Sequence, residues 1–120
     1  MQDRRFRRSD ERGQALAYQL EACVERAGAG FMVLSDDQGL VLASSGGGPE
    51  QCEEAAARLA ALGLCDDSVG EVWRDDRAIA ARSFMALGER LIVGIAGRDV
   101  SGALPEVERA IAGAQRILAS

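Results

Sequence analysis

The chain has 120 residues, 48% hydrophobic and 28% charged, which is enough for one domain with one core and excludes a disordered chain. Its formal net charge is −5 and its isoelectric point is near 4.7, a balance that repels phosphate backbones and argues against nucleic acid as a partner. It has no histidine, so the commonest general base and the commonest metal ligand are missing.

The charge is unevenly placed. Residues 1–12 hold five arginines (Arg4, Arg5, Arg7, Arg8, Arg12) against Asp3, Asp10 and Glu11, a net of +2 that leaves −7 for the rest of the chain. Residues 1–8 are expected to be a flexible basic tail before a domain over 9–120, either a solvated terminus or an electrostatic tether for an acidic partner or an anionic membrane. Cys23, Cys52 and Cys65 stand in apolar company with no C-x-x-C spacing, as small buried hydrophobes do. No leader pattern is expected and no run approaches the ~18–20 apolar residues of a membrane span, so a cytoplasmic protein is expected.

In chain order, Ser9 reads as an N-cap followed by acids at Asp10 and Glu11. Leu16, Leu20, Cys23, Val24 and Ala27 then recur at helical spacing, which predicts a first helix over 10–27 ended by Gly28. Phe31–Leu34 and Leu40–Ala43 are apolar on both faces and flank Asp36-Asp37-Gln38-Gly39, which predicts a β-hairpin in a sheet covered on both sides.

After the loop Ser44–Gly48, a second helix is predicted over 49–62, with Pro49 at its start and Gly63 as its cap. Its apolar residues Cys52, Ala55, Ala56, Leu59, Ala60 and Leu62 span roughly 160°, wider than the ~100° stripe that covering one sheet face needs. The excess suggests contact from a second side. Strands are predicted over Val69–Arg74, Ala78–Leu87 and Arg90–Ala96, joined by turns at Asp75-Asp76 and Gly88-Glu89, and Leu104, Val107, Ile111, Ala114 and Leu118 predict a last helix over 103–119. The order is α-β-β-α-β-β-β-α, an α/β (α+β) fold.

No constellation carries catalysis. The glycine loop lacks the G-x-x-x-x-G-K-[ST] spacing, and Glu50, Glu53 and Glu54 crowd the helix start beside it. The acid pairs Asp36-Asp37, Asp66-Asp67 and Asp75-Asp76 fit turn chemistry, without the spacing of a calcium loop. Serine and cysteine nucleophiles lack a histidine base. No catalytic, cofactor-binding or metal-binding residue is expected. Trp73, the only tryptophan, reads equally as core or as interface.

The run Gly30–Ser44, an apolar strand, an acidic turn ending in Gly39 and a short strand ending in Ala43-Ser44, resembles the first hairpin of the Roadblock (dynein light chain) family, and the element order agrees over about residues 10–119. The resemblance implies a five-stranded antiparallel sheet with helix two on one face and helices one and three on the other. It further implies a homodimer made by pairing third strands and packing helix two against its mate, which would place Cys52, Ala56, Leu59, Ala60 and Trp73 at the dimer interface. The implied function is a non-catalytic regulator or scaffold of a small Ras-like GTPase, met through Glu50, Gln51, Glu54 and Arg58. The alternative is a small-molecule sensor of PAS or GAF type, for which Arg82 and Ser83 are the polar mid-strand residues.

Overall fold

The computed structural model describes residues 2–62, 71–72 and 78–119. Its elements are α1 (Gln2–Ala27), β1 (Phe31–Asp36), β2 (Val41–Gly46), α2 (Pro49–Leu62), β3 (Glu71–Val72), β4 (Ala78–Ala86), β5 (Glu89–Gly97) and α3 (Leu104–Ala119). Cys65, Trp73, the Gly63 cap and the acid pairs at 66–67 and 75–76 lie outside the described residues.

The strands form one antiparallel sheet in the order β2-β1-β5-β4-β3. Four strands of six to nine residues carry it, and the two described residues of β3 extend its edge. β1 shows why continuous apolarity predicted a sheet covered on both faces. Phe31 and Val33 point into a cluster with Cys52, Ala55, Ala56 and Leu59 of α2, whereas Met32 and Leu34 join Leu16, Leu20 and Cys23 of α1 and Val107, Ala110 and Ala114 of α3. The three helices thus divide as expected, α2 on one face and α1 with α3 on the other.

The first turn works through Asp36, whose Oδ1 accepts from the N–H groups of Gln38 and Leu40, both at 2.9 Å, while Gly39 takes φ 91°. Gly94 sets how closely α2 rides on the sheet: a Cβ there would stand 2.6 Å from Leu59 Cδ1. Gly94→Val should therefore cost about 1–3 kcal/mol through overpacking, readable as a lower denaturation midpoint at unchanged slope.

Two boundaries differ from expectation. α1 starts at Gln2, eight residues before the start expected at residue 10. Nothing in residues 2–12 breaks a helix, and arginine and glutamine are good helix formers, so Ser9 need not act as a cap. The β4–β5 turn is Leu87-Gly88, one residue earlier than Gly88-Glu89, because Ala86 pairs with Glu89. Both turn residues have positive φ (55° and 77°), the geometry of a type I′ turn. A left-handed leucine is strained, so Leu87→Asn is expected to raise stability by about 1 kcal/mol, seen as a higher thermal midpoint.

Candidate interaction surface on helix two

α2 is launched by the glycine loop. The Gln51 Oε1 accepts from Gly48 N–H at 3.3 Å and Cys52 N–H donates to the Gly48 carbonyl at 3.0 Å, so Gln51 acts as part of the helix cap. From there one row, Cys52, Ala55, Ala56 and Leu59, is at most 2% exposed and packs on Phe31, Val33, Ile79, Ala81, Ile92 and Ala96. These positions fall at helical spacing on a single side.

That placement changes the surface read from the wide apolar arc. Cys52, Ala56 and Leu59 belong to the chain's own core and present no outward face. Ala60 is half-buried at the margin of this row, and the outward side carries Glu50, Glu53, Ala57, Arg58 and Ala61. Glu54 is half-buried and its Oε2 lies 3.5 Å from Arg58 Nε, an i,i+4 pair along the helix. The hairpin turn sits alongside, since a Cβ on Gly39 would stand 3.3 Å from the Cα of Ala57, and the next residue, Leu40, is 63% exposed. Ala61 and Leu40 were missed from sequence; the signal for Leu40 was its place directly after the turn glycine.

The remaining reactive groups are structural in their settings. Burial pushes the Cys23 thiol above its ordinary value, against the opposing charge of Arg26, which leaves a poor nucleophile. Arg26 Nη2 donates to Cys23 Sγ at 3.5 Å, and its Nε donates to Glu106 Oε1 at 2.9 Å, a bond that holds the guanidinium more firmly protonated. Glu106 also accepts from Arg109, so this cluster ties α1 to α3. Ser83 Oγ accepts from Arg90 Nη1 at 3.2 Å. Ser35 Oγ is buried without a hydrogen-bond partner in the structure. No group of three or more Cys, Asp or Glu among the described residues is placed to hold a metal ion.

Among the described residues the arrangement is three helices on one antiparallel sheet. No family model and no curated sequence matches the chain. Solved structures do match its fold. It is similar to the gliding protein MglB from Thermus thermophilus, with a TM-score of 0.70 at 16% identity over 90% of this chain and 91% of that one. It is similar to Myxococcus xanthus MglB, at 0.68 and 10% identity over 87% of each chain. It is also similar to a Roadblock/LC7 domain from Streptomyces avermitilis, at 0.68 and 19% identity over 87% of this chain and 98% of that one. The chain has the Roadblock/LC7 fold.

Proposed function

We propose that the protein is a non-catalytic, homodimeric interaction module in which α2 packs on its mate, and that the paired helices form the surface through which it regulates or scaffolds a small Ras-like GTPase. The observation that carries this reading is the division of α2 into two sides. Its buried row is taken up by its own sheet, yet its outer side shows Ala57 and Ala61 among Glu50, Glu53 and Arg58 instead of a fully charged surface. Small residues let a second helix approach to the short end of the 8–10 Å packing range. Among the described residues the sheet ends on β3, an edge that supports pairing of sheets across the same two-fold axis. The likeness to MglB and to a Roadblock/LC7 domain supports the GTPase as the class of partner. A sensor of small molecules has less support, since the buried polar residues among those described are only Ser35 and Ser83.

On this reading the chain sediments as a dimer of about twice its 12.7 kDa at micromolar concentration. It retains a small Ras-like GTPase in one nucleotide state and shows no hydrolysis of GTP alone. A monomer across that range, or retention of no such GTPase in either nucleotide state, would defeat the proposal.

A further inference from the structure

The sheet ends on β3 at one side and on β2 at the other. Among the described residues β2 pairs only with β1. An antiparallel strand turns the N–H and C=O groups of alternate residues away from its partner, so the outer side of β2 presents backbone groups with no strand beside them. Sheet edges are commonly guarded by charged side chains or proline. This one is not. Residues 39–48 include no charged residue and no proline, and Ala43, Ser44 and Ser45 are too short to screen the backbone.

Large apolar groups are exposed along the same edge, Leu40 at 63% and Leu42 at 38%. The ladder is regular from Phe31–Gly46 to Leu34–Ala43, then shifts so that Ser35 pairs with Val41 and Leu42 is the extra residue. Such a bulge re-aims a side chain, and Leu42 belongs to neither core cluster. α1 walls one side of the edge. It packs against β2, and its Gln19 and Arg26 face α3. Half a turn around the helix from them stand Gly13, Ala17 and Val24, half-buried, and Glu21, exposed.

We propose that the outer edge of β2 takes an extended peptide segment of a partner protein as an added strand, apolar in its middle and basic at both ends. Main-chain hydrogen bonds to residues 42–45 supply the affinity, and alternate side chains of the segment cover Leu40 and Leu42. The charge follows from what flanks the edge. Residues 27–57 hold no basic residue, whereas Asp36 and Asp37 stand before β2, Glu50, Glu53 and Glu54 stand after it, and Glu21 stands on α1. Basic ends on the segment complement those acids. A second copy fits the edge poorly for the same reason. Antiparallel pairing of β2 with itself about Ala43 sets Asp36 level with the mate's Glu50 at both ends, acid against acid.

The proposal does not rest on the GTPase reading, since β2 and β3 are opposite edges of the sheet. Selection of displayed random peptides on the full chain tests it, with peptides of about twelve residues to span the edge at ~3.3 Å per residue. Enriched peptides are expected to alternate apolar and polar residues between terminal arginines or lysines. A synthetic copy of one should slow amide exchange at residues 42–45, and exchanging its terminal cations for glutamates should abolish binding. Leu42→Lys and Leu40→Lys, each setting a cation against the peptide's own, should weaken binding at least about tenfold. Neither variant should move the thermal midpoint or the sedimentation coefficient, which separates lost contact from lost fold and from a lost dimer. No enriched peptide, equal binding to both variants, or slowed exchange elsewhere with none in β2 would overturn the proposal. So would self-association that Leu42→Lys breaks, which would give the edge to a second copy.

Discussion

Ala56→Glu is expected to prevent the chain from folding. Ala56 has no exposed surface and stands among Phe31, Val33, Leu59 and Ile92. A carboxylate there has no cation and no hydrogen-bond donor among those neighbours, which costs several kcal/mol, and the added volume costs about 1–3 kcal/mol more. Domains of this size have a net stability of about 5–15 kcal/mol, so the substitution removes most or all of it. The expected result is lost cooperative unfolding by circular dichroism and poor soluble yield. Ala61→Glu, further along the same helix on the exposed side, supplies the comparison. Its effect on the fold is expected to stay within about 0.5 kcal/mol. A cooperative, wild-type melting curve for Ala56→Glu would show that α2 does not lie against the sheet at this point.

The contrast between neighbouring alanines also marks what could be read from the sequence. The first hairpin was legible because its turn is made by local chemistry, the Asp36 carboxylate collecting two N–H groups and Gly39 taking a positive φ. The division of helices between faces was legible only through the resemblance, though the two-faced apolar run of β1 agreed with it. The start of α1 was not, because Ser9 is a good cap but a cap only permits a start; helix-compatible residues before it let the backbone continue. The β4–β5 turn escaped because the ladder from Ala78–Gly97 to Ala86–Glu89 sets its register, and it places Leu87 where turn chemistry would choose asparagine. On α2, periodicity located an apolar arc but could not say which part the chain's own sheet would take. Ala56 and Ala57 look alike in sequence; one is core and the other surface. Cys52, Ala56 and Leu59, which the apolar arc alone would offer to a second helix, are buried against the chain's own sheet.

Ala57→Arg is expected to give a folded monomer. In the proposed dimer the outer row of α2 meets its mate across a two-fold axis, and the charges along the helix select the direction. Glu50, Glu53 and Glu54 occupy its first half, and Ala57, Arg58, Ala60 and Ala61 its second. A parallel pair would set acids against acids. An antiparallel pair crossing at Ala57 sets Glu53 beside the mate's small residues and brings Glu54 within reach of the opposite Arg58, so the pair now 3.5 Å apart within one helix can be exchanged across two. Two alanines at the crossing let the axes approach to about 8 Å, a gap with no room for a guanidinium. An arginine there must hold the helices apart or be buried facing its own copy, a cost of several kcal/mol that weakens dimerisation at least about a hundredfold. Since Ala57 is exposed in the single chain, helix content should stay unchanged, and only the sedimentation coefficient and its concentration dependence should move. A variant that remains dimeric at the wild-type affinity would take Ala57 out of the interface, and with it the antiparallel α2 pair.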